Sequence, residues 1–294
     1  MIDFRNLETF FWVARLGSFR RTAEKLNTTQ PAISARIAQL EANLDVQLID
    51  REGRRAALTA KGVELLGYVE QLLALRDEMV LAVTDADSLK GTVRLGLSET
   101  IVHTWLPRLV KELYQRHPQI TLEISVDVSV NLRETLLEGQ LDLALLLGPI
   151  SAPNVTNVPL CSYPIAWVAS PDLVGDNEPL TLSALAQWPI ITYSRASRPY
   201  HQLIELFKQN KVPGVRVFGN SSLSSIVRMT MDGIGISAIP PTVVQEELTS
   251  GRLRLLPTDT ALPDLVFTAT YVNTPNNSLA ILVASIAQEV AATV

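Results

Sequence analysis

The hydrophobic pattern of this 294-residue chain changes once along its length, near residue 90. Up to that point apolar residues recur at helical spacing, whereas from residue 92 onward short apolar strands alternate with helices. Because a chain of this length is too long for a single core, the change marks a domain boundary. We therefore predict an α+β multidomain protein, with a helical domain over 1–60, a long linker helix over 61–90 and an α/β domain over 91–294.

The N-terminal domain carries the signals of short helices joined by a tight turn. A first helix is expected to end at Gly17, and Ser18 is expected to cap a second. Thr29 is a suitable N-cap for a third helix, with Pro31 in the first turn, where the missing N–H costs nothing. This arrangement is typical of a helix-turn-helix, although periodicity alone leaves open a surface-exposed helical bundle with solvated charge.

The side chains expected on the outer face of the third helix suit the base edges of a DNA major groove, where Gln pairs with adenine and Arg with guanine. The basic turn over residues 50–55 lies between two short extended segments and predicts a wing whose arginines contact phosphates. The candidate DNA-contacting residues are Thr29, Gln30, Pro31, Ser34, Arg36, Gln39, Arg51, Arg54 and Arg55.

Charge is distributed unevenly along the chain. The net charge is −5, but the first sixty residues carry nine Lys and Arg against seven Asp and Glu. The basic excess therefore lies at the end of the chain where nucleic-acid contact is predicted.

Four short motifs follow one another in this domain: Gly17-Ser18-Phe19, Ala23-Glu24-Lys25-Leu26, Gln30-Pro31-Ala32-Ile33-Ser34, and Leu58-Thr59 followed by Gly62. In this order and spacing they resemble the DNA-binding signature of the LysR-type transcriptional regulators. The sequence departs from the commonest pattern at Ala35, where many members have arginine, and at Leu48-Ile49, where Leu-Phe is frequent. Both departures bear on operator preference and neither bears on the fold. The resemblance implies a winged helix-turn-helix.

The linker helix is predicted to carry one apolar stripe. Steps of four and three residues give Leu58, Gly62, Leu65, Val69, Leu72, Arg76, Met79 and Val83. A single helix cannot bury such a stripe against itself, so it needs a second copy of the chain or the domain that follows. The resemblance implies that a second copy of the chain buries the stripe, because this segment dimerises members of the family. It also implies that the protein is a homodimer or homotetramer.

The α/β domain is predicted to form two lobes that exchange strands at Pro164 and near Pro263. Lobe I spans about 91–161 and 268–294, and lobe II about 162–267, with a cleft between them. In the family that the chain resembles, this domain is similar to a periplasmic binding protein, with the effector between the lobes and a carboxylate as a common ligand group.

Ligands of open α/β sheets bind beyond the carboxyl ends of the strands. The candidate effector-binding residues at those positions are Ser98, Glu99, Thr100, Ser129, Val130, Gly148, Ser194, Arg195, Asn220 and Ser221. Arg195 and Arg198 are either a clamp for a carboxylate or solvated loop charges. Glu99 would repel an anion unless it pairs with an arginine or the effector carries an amine.

Several classes of protein are not indicated by the sequence. Cys161 is the only cysteine, so neither an intrachain disulfide nor a cysteine-based metal cage is expected. The three histidines are scattered, and no nucleotide-binding or nucleophile motif occurs, so we expect no metal, no cofactor and no enzyme activity. The absence of a signal peptide and of long apolar runs predicts a cytoplasmic protein that does not associate with membranes.

These features together predict a DNA-binding transcription regulator controlled by a small-molecule effector, of which a small organic anion is the expected class. The expected partners are double-stranded DNA, the effector, further copies of the chain and, for an activator, RNA polymerase. Two alternatives remain: a solute-binding or enzymatic α/β protein with an incidental helical N-terminus, and a ligand-independent DNA-binding protein whose lobes serve only for oligomerisation.

Overall fold

The computed structural model describes residues 2–50, 56–83, 89–174, 179–275 and 277–293. It divides into two compact units, Met1–Thr84 with Asn273–Ser278, and Asp85–Val272 with Leu279–Val294.

The first unit is a three-helix domain followed by a hairpin and a long helix. Its elements are α1 (Phe4–Leu16), α2 (Phe19–Lys25), α3 (Gln30–Leu44), β1 (Ile49–Asp50), β2 (Ala57–Leu58) and α4 (Ala60–Val83). The predicted ends of the helices are confirmed. Gly17 ends α1 in the left-handed region at φ +59°, the Ser18 hydroxyl accepts from the Arg21 N–H, and the Thr29 hydroxyl accepts from the Ala32 N–H.

The core of this unit is apolar and continuous from α1 to α4. Phe10 and Phe11 of α1 pack with Ile33, Ile37 and Leu40 of α3, and all five side chains are buried. The strands β1 and β2 pair antiparallel as the two sides of the predicted wing. The turn between them, with Arg51, Arg54 and Arg55, lies outside the described residues.

The second unit contains two five-stranded sheets with helices. Its elements are β3 (Gly91–Leu97), α5 (Glu99–Thr104), α6 (Leu106–Arg116), β4 (Ile120–Val126), α7 (Ser129–Leu137), β5 (Leu143–Leu147), β6 (Val155–Tyr163), β7 (Ala166–Ala169), α8 (Leu182–Leu185), β8 (Ile190–Tyr193), α9 (Arg198–Gln209), β9 (Val217–Asn220), α10 (Leu223–Met231), β10 (Ile236–Ile239), α11 (Gln245–Thr249), β11 (Arg254–Leu256), β12 (Leu265–Val272) and α12 (Ser278–Ala291).

The strand orders are β4-β3-β5-β12-β6 in the first sheet, which we call the sheet of lobe I, and β11-β7-β10-β8-β9 in the second, the sheet of lobe II. Strands β3, β4 and β5 are parallel, as the alternation of strand and helix predicts. Strand β12 returns from the second half of the chain and lies antiparallel between β5 and β6, so the predicted return to the first sheet is confirmed.

The sequence did not predict two strands of the second unit. Strand β6 is nine residues long but only partly buried along most of its length, so it lacks the apolar run that marked β5. Strand β11 is three residues at the edge of its sheet. Across the described parts of the chain, every helix is too short or too polar to cross a bilayer.

Candidate functional site

Helix α3 presents a compact outer surface opposite its buried stripe. Gln30 and Pro31 are exposed at its N-terminus and Ser34 is half-buried, as expected for a face that meets DNA. Ala35 and Ala38 are also exposed there, and the sequence analysis did not count them as contacts. Their methyl groups could meet thymine methyl groups in a major groove. The sequence signal for both was their position opposite the buried stripe.

Two of the predicted contacts turn toward helix α1 instead. The Arg36 guanidinium donates to the Thr9 hydroxyl at 3.4 Å, and the side-chain amide of Asn6 donates to the Gln39 side-chain oxygen at 3.4 Å. Arg36 is half-buried, whereas Gln39 remains exposed. The structure therefore leaves Thr29, Gln30 and Pro31 exposed at the surface, with the Thr29 hydroxyl capping the helix, and it pairs Arg36 and Gln39 with side chains of α1.

Helix α4 has two apolar faces. Val69 and Leu73 are buried in the core of the helix-turn-helix domain. A second face stays exposed, and we call it the α4 stripe: Tyr68, Leu72, Leu75, Met79 and Val83. The predicted seam mixed residues of both faces. Its Arg76 is mostly buried, and its guanidinium donates to the Asp77 carboxylate at 2.9 Å.

The second unit holds a cavity of about 50 Å³ between its two lobes. Predicted effector residues that line it are Ser98, Glu99, Thr100, Ser129, Ser194, Asn220 and Ser221. Lining residues that the sequence analysis missed are Asp127, Val128, Leu147, Tyr193, Ser197, Leu223, Leu265 and Phe267. Four of the missed residues, Asp127, Val128, Leu147 and Tyr193, lie at or next to a predicted strand end. Ser197 and Leu223 lie at the starts of α9 and α10, and Leu265 and Phe267 belong to the strand that returns from late in the chain.

Three predicted residues do not line this cavity. Val130 is exposed on α7, and Arg195 is exposed in the loop before α9. Gly148 is needed for packing, because a side chain there would collide with the Thr268 hydroxyl. Its carbonyl accepts a hydrogen bond at 3.1 Å from Arg198 of lobe II, so this arginine joins the lobes rather than facing the cavity.

The strand-end hydroxyls of lobe I form a short network. The Ser98 and Ser129 hydroxyl oxygens are 3.1 Å apart, and the Leu147 N–H donates to the Ser129 oxygen at 3.0 Å. Strands β3 and β5 and helix α7 thereby bring together residues that are distant in sequence. The network presents hydroxyl groups to the cavity and fixes their positions.

Glu99 makes the densest polar contact between the lobes. Its carboxylate accepts from the backbone N–H groups of Leu223 and Ser224, the second at 3.3 Å, and from the Ser222 and Ser224 hydroxyls at 3.4 and 3.2 Å. His103 Nε2 lies 3.6 Å from the same carboxylate and 3.1 Å from the Ser224 hydroxyl. His103 lies one helical turn after Glu99, and its spacing predicted a core residue or an i,i+4 partner, so the contact with Glu99 agrees with that prediction. An arginine or an effector amine was the expected counter-charge of Glu99, whereas the structure places the N-terminus of α10 there.

Two buried hydroxyls of lobe II face the cavity with little or no protein contact. The Ser194 hydroxyl has no hydrogen-bond partner among the described residues, and the Tyr193 hydroxyl has only a weak contact with the Thr100 hydroxyl. Burial raises the pKa of Tyr193, an effect to which the Glu99 carboxylate adds and which the Thr100 hydroxyl opposes. The tyrosine therefore stays neutral at physiological pH and can donate a hydrogen bond to a ligand.

Cys161 lies on β6, outside the residues that line the cavity. Burial raises the pKa of its thiol, and hydrogen bonds involving Tyr163 and Trp105 oppose this rise. The thiolate, which is the reactive form, is therefore disfavoured. No group of three potential metal-ligating side chains occurs within the described ranges.

Comparison with known families matches both units. Residues 4–63 match the bacterial regulatory helix-turn-helix protein, lysR family, and residues 86–291 match the LysR substrate binding domain. The HTH-type transcriptional regulator BbuR of Bordetella bronchiseptica is 30% identical over 275 residues, which cover 92% of this chain and 83% of BbuR. A probable hydrogen peroxide-inducible genes activator of Streptomyces viridosporus is 29% identical over 254 residues, covering 84% of this chain and 80% of that protein.

Solved structures share the fold along the whole chain. Full-length OxyR from Pseudomonas aeruginosa has a TM-score of 0.61 at 22% identity, covering 99% of this chain and 95% of that one. Full-length CbnR, solved in complex with its target DNA, has a TM-score of 0.54 at 20% identity, covering 99% of this chain and all of that one. Since the helix-turn-helix and the two-lobed domain both match, and in the expected order, this chain belongs to the LysR family of transcriptional regulators.

Proposed function

We propose that this LysR-type regulator binds operator DNA through the exposed N-terminal end of α3 and responds to a small effector held between the two lobes. The proposal rests on two features of one chain: a capped recognition helix whose Gln30 and Pro31 are exposed, and a cavity lined by hydroxyl groups, of which the buried Ser194 hydroxyl has no protein partner. A domain that served only for assembly would not need such a cavity. The basic residues Arg51, Arg54 and Arg55 are the proposed phosphate contacts of the wing.

Pairing through the α4 stripe would place two recognition helices on one DNA site. Tyr68, Leu72, Leu75 and Met79 are spaced by four, three and four residues, which is the spacing of a coiled-coil seam. All four side chains are more than 40% exposed. We infer a homodimer through this stripe as the DNA-binding form, and a homotetramer or a contact with RNA polymerase would build on that dimer.

The effector is a small molecule that binds without covalent chemistry. The Streptomyces relative is named as a hydrogen peroxide-inducible activator. Sensing through an intrachain disulfide needs two thiols, whereas Cys161 is the only cysteine and burial raises its pKa. The cavity of about 50 Å³ holds a few water molecules.

The chemistry of the lining suits a ligand with hydrogen-bonding oxygens. Hydroxyl groups predominate, Glu99 and Asp127 are the acidic members, and none of the described lining residues is a lysine or an arginine. A small organic anion would therefore be held by hydroxyl groups and by the N–H groups of a helix N-terminus rather than by an ion pair. This is the effector class that we propose.

The first experiment is selection of genomic fragments by the purified protein at near-physiological salt, followed by sequencing of the retained DNA. The expected result is a site with two-fold symmetry and half-sites about one helical turn, ~34 Å, apart. Gln30→Ala is the test variant, and Lys208→Ala, an exposed residue of lobe II, is the control. Retention that is blind to sequence and falls steeply with salt in both variants would contradict specific recognition by α3.

A further inference from the structure

The carboxylate of Glu99 lies where a ligand anion would be expected. Helix α10 has nine residues, and its N-terminal N–H groups on Leu223 and Ser224 point at the cleft. Such groups, with the positive end of the helix dipole, form an anion site. Glu99 comes from the opposite lobe, 124 positions earlier in the chain than Leu223. The site is therefore occupied by the protein's own side chain.

The helix does not need Glu99 for its own capping. Ser222 is the N-cap, and its hydroxyl accepts from the N–H of Ser225 at 3.3 Å. The local cap leaves the two N–H groups before Ser225 without a partner within the helix. Glu99 takes both and adds the Ser222 and Ser224 hydroxyls. Four donors from lobe II thus converge on one carboxylate from lobe I.

The same cavity holds donors that Glu99 does not use. The buried Ser194 hydroxyl lines it and has no hydrogen-bond partner among the described residues, and the Tyr193 hydroxyl beside it makes only a weak contact with the Thr100 hydroxyl. Leaving a buried polar group unpaired is unfavourable, so both are available to a ligand that enters. This observation is independent of the contacts of Glu99 and points to a ligand in this cavity.

We propose that Glu99 is a built-in carboxylate ligand that holds the two lobes together, and that an anionic effector acts by displacing it from the N-terminus of α10. The effector's carboxylate would take the Leu223 and Ser224 N–H groups, and the Tyr193 and Ser194 hydroxyls would bind its remaining oxygens. This inference rests on the proposed function, because it describes how the effector of that regulator would act. It adds that the state without effector is self-liganded and closed rather than open.

Removal of the side chain should turn this internal contact into a binding site for free acetate. In the full-length Glu99→Ala variant, acetate should raise the melting temperature in a saturable manner relative to chloride at the same ionic strength. The wild-type protein should show no such rise, because Glu99 already occupies the site. Glu99→Gln fills the space without the charge and should also show none.

Asp127→Asn is the matched control. Asp127 lines the same cavity, but its carboxylate accepts from the Val128 N–H and the Asn131 side-chain amide within lobe I. The variant removes a negative charge from the cavity and leaves the contact between the lobes intact. If acetate stabilises Asp127→Asn as much as Glu99→Ala, the effect is general electrostatics and the proposal is overturned.

Hydrogen-exchange mass spectrometry on peptides covering the start of α10 provides a second readout that does not depend on acetate. Exchange at Leu223 and Ser224 should be about tenfold faster, or more, in Glu99→Ala, the fold-change that corresponds to losing a hydrogen bond to a charged group. In Glu99→Gln it should also be faster, by a smaller factor, because the amide oxygen still accepts but carries no charge. Acetate should slow it again in Glu99→Ala. Wild-type exchange in both variants would overturn the proposal, and Glu99→Gln decides the matter if Glu99→Ala does not fold.

These measurements separate the two proposals because neither involves DNA. If acetate stabilises Glu99→Ala but the protein selects no operator, the role of Glu99 is supported and the regulator function is contradicted. If the protein selects an operator but the variants show neither stabilisation by acetate nor faster exchange, the regulator function is supported and the role of Glu99 is contradicted.

Discussion

Leu75→Ala on the α4 stripe should weaken dimerisation of the full-length protein. Leu75 is 61% exposed in the single chain, and it follows Leu72 and precedes Met79 at coiled-coil spacing. Full burial of a leucine side chain is worth about 1.5–3 kcal/mol, so burying the exposed part of Leu75 contributes about 1–2 kcal/mol per copy. A symmetric dimer contains two copies, which gives ~2–4 kcal/mol, or a ~30- to 1,000-fold increase in the dimer Kd.

Sedimentation equilibrium over a wide range of protein concentration measures this Kd directly. Leu73→Ala is the matched control, because it is the same substitution on the same helix, but Leu73 is 2% exposed and packs in the helix-turn-helix core. It should lower the free energy of unfolding by about 2–5 kcal/mol and leave the dimer Kd nearly unchanged.

The outcome also distinguishes the two possible seams. The stripe inferred from sequence included Val69 and Arg76, which the structure places against the domain core and beside Asp77. If Leu75→Ala leaves the dimer Kd unchanged while Val69→Ala raises it, the exposed stripe is not the interface and the seam inferred from sequence is correct.

Three further predictions concern recognition, the cavity and the core. Gln30→Ala should cost about 1–3 kcal/mol of specific operator binding, whereas Arg36→Ala should cost less because its guanidinium donates to Thr9 within the domain. Fluorescence anisotropy with operator and scrambled DNA measures both losses, and an equal loss for the two variants would contradict the placement of Arg36 against α1. Tyr193→Phe removes a buried hydroxyl whose protein contact is a weak one with the Thr100 hydroxyl, so the melting temperature should change little while the effector response weakens. A clear loss of stability would mean that this contact is a full hydrogen bond. Gly62→Ala should destabilise the first unit by about 1–3 kcal/mol in chemical denaturation, because the added methyl would overlap the Leu48 carbonyl; unchanged stability would show that α4 can shift to accommodate it.

The N-terminal domain was predictable because its signals are local. Gly17, Ser18 and Thr29 each act within a few residues of their own position, through a left-handed turn or a hydroxyl that accepts from a nearby N–H. A sequence displays such relations directly. The buried stripe of α3 followed from helical spacing for the same reason.

The stripe of α4 was predicted only in part, because a long helix can bury two faces. Leu72 and Met79 belong to both possible seams. Steps of three and four residues connect them equally well to Val69 and to Tyr68. Only the packing of α4 on its own domain decides between them. Val69 and Leu73 are buried by that packing. The apolar residues that remain exposed for a partner therefore lie on a different face of the helix from the one inferred from sequence.

The cleft shows where inference from local sequence ends. The polar strand ends were recognisable, since ligands of α/β sheets gather at the carboxyl ends of the strands. The role of Glu99 was not, because its partners lie on a helix of the other lobe. The structure shows Ser222 as the cap of α10, and a hydroxyl cap satisfies only one of the N–H groups in the first turn. The N–H groups of Leu223 and Ser224 remained to be satisfied, and they are where the structure places a carboxylate from across the cleft. A count of the N–H donors that the local cap leaves unsatisfied therefore locates the part of a helix that can bind a remote residue or a ligand. The identity of that partner comes only from the three-dimensional structure.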